Sequence, residues 1–215
     1  MGRGSRALGQ RLIAVVDDLY EVGCITSTGG NVSARLPDDP EQILITPSHI
    51  FKGDLAPELL SRITLGGEKL DSAAEDPSSE WQLHVAIYRA RPDVRAVVHA
   101  HPPQTTVLKL CGLPWLPISL EAGFLGELPE VPFIMPGTDE LAQAAAEALG
   151  DGIAVFMQNH GLVVAATTLR RAADWVQIIE RTAKLLVTCH LLGREPARIS
   201  DEAVAELRQI GKSIA

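Results

Sequence analysis

The sequence predicts an α/β protein in which helices cover a mixed, mainly antiparallel sheet. Helical and strand patterns alternate along the chain, the strand candidates are short, and the first two are joined by a hairpin-like link. A Rossmann fold fails at its fingerprint, because the dense glycine turn from Ser27 to Asn31 lacks the second and third glycines in the required register. The length of 215 residues suits a single domain, 1–215, since one hydrophobic core keeps growing up to roughly 250 residues.

Leu8, Leu12, Val15, Val16 and Leu19 share one face of a helix that ends near Gly23. Strands are expected over Val32 to Leu36 and Gln42 to Thr46, with the turn Pro37-Asp38-Asp39-Pro40 between them, and a short one over Arg62 to Leu65. Ser78 and Ser79 can cap a helix that carries Trp81, His84, Val85 and Tyr88 on one face and stops before Pro92. Val94 to His101 reads as a buried strand, and Thr105 to Leu110 as a short helix. Further strands are expected near Leu116 to Leu120, Val131 to Met135, Ile153 to Gln158 and Leu162 to Ala165. Thr138 caps a helix through Leu149 that Gly150 closes, with Asp139 and Glu140 at its positive end. Thr168 to Leu192 forms a long helix with Ala172, Trp175, Val176, Ile179, Ala183 and Leu186 on one stripe, and a last helix starts from Ser200.

Hydrophobic residues at 46% and charged ones at 21% supply a sizeable core and exclude a disordered chain. Asp and Glu outnumber Lys and Arg by 27 to 19, and the net charge of −8 repels phosphate backbones and anionic lipid heads. Neither nucleic acid nor a membrane is therefore an expected partner. A small anionic substrate stays open, because it answers to local donors rather than to net charge. Cys24, Cys111 and Cys189 are an odd count in apolar stretches and read as buried free thiols, which fits a reducing cytoplasm. No apolar signal core follows Met1-Gly2-Arg3-Gly4-Ser5-Arg6, and Arg6 stands where a myristoylation signal wants Ser or Thr. No run of about 18 uncharged apolar residues marks a transmembrane helix. A cytoplasmic protein is expected.

The candidate chemistry starts with His99 and His101, spaced i, i+2 in an apolar strand. Strand side chains alternate faces, so both imidazoles point one way while Val98 and Ala100 point the other. Such a pair suits a zinc ion that takes a third ligand from elsewhere; the same spacing also fits two half-buried histidines bonded to backbone. His160 follows the apolar run Ile153 to Met157 and precedes Gly161, placing it where a strand enters a tight turn. Glu80, at the start of a capped helix, either complements the helix dipole or serves as a base beside the donors of Pro77-Ser78-Ser79. The turn Ser27-Thr28-Gly29-Gly30-Asn31 adds a second cluster of donors. His84, on the face of Trp81 and Tyr88, reads as a core or interface residue, and His190 as a complement to the negative end of the long helix.

In order along the chain, Gly29-Gly30-Asn31-Val32-Ser33, Ile45-Thr46-Pro47-Ser48, Pro77-Ser78-Ser79-Glu80-Trp81, Val97-Val98-His99-Ala100-His101 and Gln158-Asn159-His160-Gly161 resemble the class II aldolase/adducin family. The resemblance extends from Leu8 to Leu192, and Pro-Ser-Ser-Glu-Trp is similar to its L-fuculose-phosphate aldolase branch. It implies a three-layer α/β/α sandwich around a mostly antiparallel central sheet, assembled as a homotetramer with active sites between subunits. It further implies that His99, His101 and His160 bind one Zn2+, and that Glu80 is the catalytic acid/base and also reaches the metal. Gly30, Asn31, Ser48, Ser78 and Ser79 match the positions that hold the substrate phosphate. The implied reaction is cleavage of a ketose 1-phosphate, of the L-fuculose or 5-deoxyribulose type, to dihydroxyacetone phosphate and an aldehyde.

Other activities of the family are decarboxylation of 3-oxo sugar-acid phosphates, dehydration of methylthioribulose phosphate and 4-epimerisation; an adducin-like module would keep the fold without catalysis. Glu80 argues against the epimerases, which tend to carry aspartate there, and Ser79 against the decarboxylases, which tend to carry lysine. The intact His99, His101, His160 and Glu80 argue against a purely structural module. The chain departs from the family pattern at His49, where glycine is usual after Ser48. It also lacks a matching tyrosine near the site: Tyr20 and Tyr88 both read as residues of helical apolar faces. Glu121, in Pro117-Ile118-Ser119-Leu120-Glu121-Ala122, is a candidate for the missing proton donor or a plain surface glutamate.

Overall fold

The computed structural model describes residues 3–72 and 74–214; Met1 and Gly2, where the N-terminal reading begins, lie outside the described residues. Strands β1 (Asn31–Arg35), β2 (Gln42–Ile45), β3 (Ser61–Thr64), β4 (Ala96–Ala100), β5 (Glu130–Val131), β6 (Ala154–Met157) and β7 (Gly161–Ala166) form one sheet. Its order is β3-β2-β1-β4-β7-β6-β5, and every pairing is antiparallel except β5 with β6. Helices α1 (Arg3–Glu21), α2 (Trp81–Ala90), α3 (Pro103–Leu110), α4 (Leu120–Leu125), α5 (Asp139–Leu149), α6 (Leu169–Leu191) and α7 (Asp201–Ile214) complete the chain.

Alternation along the strands gives the sheet two apolar faces. Val32, Ala34, Val98, Ala100, Phe156, Leu162 and Val164 pack with Leu12 and Val16 of α1 and with Trp175 and Ile179 of α6. On the other face, Ile43, Ile45, Val97, Val155 and Val163 meet Leu83 and Ile87 of α2 and Leu141 and Ala145 of α5. The sheet lies between these two helical layers, as the resemblance implies. Fully buried residues such as Phe156, Leu12 and Leu44 each contribute roughly 1.5–3 kcal/mol by leaving water.

Four local readings are corrected. Leu116 to Leu120 is not a strand: Pro114 and Pro117 have no N–H for a ladder, and Ser119 Oγ instead accepts from Ala122 N at 3.2 Å to cap α4. The expected strand from Val131 to Met135 is cut to Glu130–Val131, because Pro132 cannot donate to the ladder. Tyr20 is 44% exposed rather than part of a buried face. Of the three thiols only Cys24 is buried, while Cys111 is exposed and Cys189 half-buried. Among the described residues, no helix is long and apolar enough to cross a membrane.

The cysteines respond differently to alkylation. Burial, with a smaller contribution from the Glu180 charge, pushes the Cys24 thiol up to about 12, so it stays protonated and covered at pH 8. A brief treatment of the native protein with iodoacetamide is expected to label Cys111 and spare Cys24, with peptide mass spectrometry as the check. Rapid labelling of Cys24 before unfolding would contradict its placement.

Candidate active site

The register of β1 against β4 pairs Asn31 with His99, and β4 against β7 pairs His99 with Val163. This brings the glycine-asparagine turn, the two strand histidines and the β6–β7 turn to one end of the sheet. β4 ends at Ala100, and the extended chain continues to His101, whose N–H donates to Cys24 O at 2.9 Å. His99 and His101 therefore stay on one face. Their rings lie 4.6 Å apart, centroid to centroid, and His160 comes within 4.7 Å of His99 and 5.4 Å of His101. One donor atom from each of the three histidines falls within 4.8 Å of the others, a group that could hold a metal ion.

Glycine permits this approach. A Cβ on Gly161 would stand 2.7 Å from His101 Cδ2 and 3.2 Å from His99 Cε1, so any side chain there would displace the rings. Gly30, at φ +81°, turns the chain into β1 where a Cβ would meet Ile25 Cγ2 at 2.6 Å. After His101, the Glu180 carboxylate of α6 accepts from Gln104 N, Thr105 N and Thr105 Oγ1, all at 2.8 Å, and anchors the start of α3.

Glu80 occupies the N-cap position of α2 but makes no side-chain cap bond, so the expected Ser78/Ser79 cap is replaced by a different arrangement. Ser78 Oγ accepts from Glu80 N at 3.3 Å, and Ser78 O accepts from Trp81 N at 3.0 Å. The freed carboxylate turns to the histidines, with Oε2 3.2 Å from His99 Nε2 and Oε1 3.2 Å from His160 Nε2. Burial by itself would push this carboxyl up, but the facing His160 and His99 rings outweigh it and hold Glu80 below the usual carboxylate range. Burial, then the neighbouring His99 and His160, pushes His101 down to about 3.

The donor set fits a metal. His99 Nδ1 donates to Leu162 O at 3.1 Å, which leaves Nε2 of the neutral ring as a lone pair. That lone pair faces His101 Nε2 at 2.9 Å, so a cation or a proton is required between them. Glu80 Oε1 and His160 Nδ1 are buried without a hydrogen-bond partner, the kind of vacancy in polar bonding that a bound ion and its surroundings remove.

The other site candidates divide. Thr46 O accepts from Ser78 N, Pro47 bridges Pro77, and Ser48 Oγ donates to Pro77 O at 2.8 Å, so Ser48 and Ser78 are zipped together while Ser79 is exposed beside them. His49 follows at φ +60°, a left-handed conformation in which a glycine would sit without strain. Asn31 is buried, and its side chain is bonded at both ends, to Glu80 Oε2 at 3.0 Å and to His84 Nε2 at 2.5 Å. Glu121 is not brought to this cluster: it sits in the first turn of α4, exposed, held below its usual range by its own backbone N–H and by Ser119. His190 lies in the last turn of α6, as its sequence position suggests.

His84 is a core residue, as its position beside Trp81 and Tyr88 suggests, but its polar connections were not legible in the sequence. It is fully buried, bonded to Asn31 and, through Nδ1, to Ser33 Oγ at 2.7 Å, and Ser33 Oγ lies 2.9 Å from Tyr88 Oη. Burial, then the His99 charge, pushes His84 down to about 3. The available signal was the i, i+4 spacing of Glu80, His84 and Tyr88 along α2, which puts all three on one helix face.

A family profile described as "Class II Aldolase and Adducin N-terminal domain" matches residues 10–187. The chain belongs to the class II aldolase and adducin family. It is 35% identical over 212 residues to the 3-oxo-tetronate 4-phosphate decarboxylase of Escherichia coli O6:H1 (strain CFT073), covering 94% of this chain and 96% of that one. It is 30% identical over 200 residues to the L-fuculose phosphate aldolase of Escherichia coli (strain K12), covering 92% and 91%. Among solved structures, an L-fuculose 1-phosphate aldolase superposes with a TM-score of 0.88 at 29% identity, over 96% of each chain. YgbL from Escherichia coli, described as a putative aldolase/epimerase/decarboxylase, superposes with a TM-score of 0.86 at 32% identity, over 95% of this chain and 99% of that one.

Two outcomes follow from this geometry. The His99→Ala/His101→Ala double variant is expected to lose a bound divalent ion that the wild type retains, read by elemental analysis after gel filtration; full retention would remove both residues from the ligand set. A second outcome concerns pH in the metal-free protein. The folded-state pKa of His84 lies below its unfolded value of about 6.5, so between about 6.5 and 3 the unfolded chain binds the extra proton and stability falls as pH falls. One such group contributes a slope of about 1.4 kcal/mol per pH unit. Denaturant melts at pH 6, 5 and 4 are expected to show a slope smaller by roughly that amount in His84→Phe, whereas equal slopes would mean that His84 is not buried neutral.

Proposed function

We propose that the protein is a metal-dependent carbon–carbon lyase acting on a small phosphorylated sugar, and specifically an aldolase that cleaves a ketose 1-phosphate to dihydroxyacetone phosphate and an aldehyde. The observation that carries this reading is the Glu80 carboxylate, 3.2 Å from both His99 and His160, whose rings cluster with His101, and next to the serines at the start of α2. A divalent ion held by His99, His101 and His160, zinc by the imidazole donor set, would polarise the substrate carbonyl as a Lewis acid.

The remaining steps fall to side chains of the chain. Glu80 would take the hydroxyl proton released as the carbon–carbon bond breaks and return it to the carbon next to the carbonyl, with Oε1 as the oxygen free to carry it. Ser78 Oγ, which accepts from Glu80 N, keeps its own proton for an incoming phosphate, and the exposed Ser79 adds a second hydroxyl at the positive end of α2. Ser48 would have to exchange its bond to Pro77 O, and Gly30 brings the backbone close without a side chain. The Asn31 amide is committed to Glu80 and His84, so we assign its part in phosphate binding to its position in the turn. Assembly as a homotetramer with sites between subunits belongs to the same proposal. It is supported by the exposed apolar side chains Val107 and Leu110 on α3, directly after the His101 segment.

Decarboxylation of a 3-oxo acid 4-phosphate is the second reading, favoured by the 35% identity to a 3-oxo-tetronate 4-phosphate decarboxylase. The site chemistry separates the two. Loss of carbon dioxide from a 3-oxo acid needs no base to start it, only a proton donor to finish, whereas carbon–carbon cleavage of a ketose phosphate must move a hydroxyl proton. The Glu80 carboxylate and Ser79 in place of lysine suit the latter.

Purified protein assayed with ketose 1-phosphates, pentulose 5-phosphates and 3-oxo acid phosphates is expected to release dihydroxyacetone phosphate from a ketose 1-phosphate, with KM rising sharply for the unphosphorylated parent. Carbon dioxide from a 3-oxo acid phosphate, without that release, would replace the aldolase reading by the second. Glu80→Gln keeps the shape but cannot accept a proton, so kcat should fall about 10²- to 10⁴-fold with the fold retained.

A further inference from the structure

From Glu80 Oε2, a line of polar side chains runs through the core between α2 and β1. Its members are Asn31, His84, Ser33 and Tyr88, all buried, and each touches the next: Glu80 Oε2 to Asn31 Nδ2 at 3.0 Å, Asn31 Oδ1 to His84 Nε2 at 2.5 Å, His84 Nδ1 to Ser33 Oγ at 2.7 Å, Ser33 Oγ to Tyr88 Oη at 2.9 Å. A core of this kind packs more cheaply with apolar side chains, so four polar groups in series call for an explanation.

The direction of every bond follows from its first member. A carboxylate only accepts, so Asn31 must present its Nδ2 amide to Glu80 and its Oδ1 to His84. Oδ1 only accepts, so His84 must carry its single proton on Nε2. Nδ1 is then an acceptor, so Ser33 gives its proton to His84, and Ser33 Oγ is left to accept from Tyr88. No member can be reversed without leaving two donors or two acceptors face to face in a buried place, which costs the full desolvation of the unpaired groups.

We propose that His84 is a positioning residue for Glu80, acting through Asn31, with Ser33 and Tyr88 selecting the ring tautomer that makes it so. The proposal rests on the reading of Glu80 as the acid/base. The His84 ring is fully buried, and its bond to Asn31 Oδ1 locks the amide so that a donor always faces Oε2. Oε2 then stays in place, and Oε1, which faces His160 and has no hydrogen-bond partner within the protein, is the oxygen left for proton transfer. If the lock is removed, Asn31 is free to flip and to turn its oxygen toward the carboxylate, which rotates Glu80 away from its working orientation.

Two measurements test this, one of which needs neither metal nor substrate. In metal-free protein labelled with 15N in the histidine rings, the His84 signal, assigned by its absence from His84→Phe, is expected to show a protonated Nε2 and an unprotonated Nδ1. The opposite tautomer, or a mixture of both, would overturn the proposal. In the turnover assay, His84→Phe is expected to lower kcat roughly 10-fold or more with KM within about twofold and the metal content unchanged, and His84→Gln, which can still donate to Asn31, to recover part of the loss. Placed on Glu80→Gln, His84→Phe should change kcat less than about twofold, because no carboxylate remains to be held. An undiminished loss in that background would overturn the positioning role. Near wild-type turnover of Glu80→Gln alone would instead overturn the assignment of Glu80, and this proposal with it. Should His84→Phe not fold, Ser33→Ala removes the donor to Nδ1, together with the acceptor of Tyr88 Oη, and is read by the same kcat, KM and double-variant comparison.

Discussion

A carboxylate taken out of water has to be met by donors or by positive charge, and the site is arranged around that requirement at Glu80. His99 and His160 face the two oxygens from β4 and from the turn before β7, and Asn31 faces one of them from β1. These groups come from distant parts of the sequence, so the carboxylate can be accommodated only after β1, β4 and β7 have paired in register. Gly161 and Gly30 leave the room for that convergence, and the α2 N-terminus carries Glu80 to it without using the carboxylate as a cap. Local helix chemistry is overridden here: Glu80 stands where a capping side chain is favoured, yet its oxygens serve the cluster.

Much of this was legible in the sequence, for identifiable reasons. Alternation placed His99 and His101 on one face, and the structure puts their neighbours Val98 and Ala100 in the opposite apolar layer. Helix stripes and caps at Thr138 and Thr168 lie where the pattern puts them, because both signals are local. The misread stretches, near Leu116 to Leu120 and Val131 to Met135, are apolar runs interrupted by proline, in which hydrophobicity resembles a strand while the missing N–H groups forbid the ladder. The polar bonds of His84 escaped for a different reason. An imidazole on an apolar helix face looks like a core residue, and its partners Asn31 and Ser33 are about fifty residues away, visible only once β1 lies against α2.

Similarity over the whole chain and chemistry within the site carry different information. The fold neighbours include proteins described as aldolases and one described only as a putative aldolase/epimerase/decarboxylase, and all share the sandwich. A common scaffold that presents imidazoles and a carboxylate at one sheet end can serve any reaction in which charge develops on a carbonyl oxygen. What distinguishes the reactions is the proton inventory: which groups are ionised, which hydroxyls keep a free proton, and which side chains are already committed. Here the Asn31 amide is already committed to Glu80 and His84, and Ser78 Oγ accepts from Glu80 N.

The account stands on the three histidines forming one metal centre beside Glu80. X-ray absorption at the edge of the metal that copurifies with the wild-type protein reads this most directly. The account predicts three imidazole nitrogens, with zinc–nitrogen distances near 2.0–2.1 Å if the metal is zinc, and no sulfur ligand. A sulfur shell near 2.3 Å, or a spectrum without imidazole scattering, would contradict it.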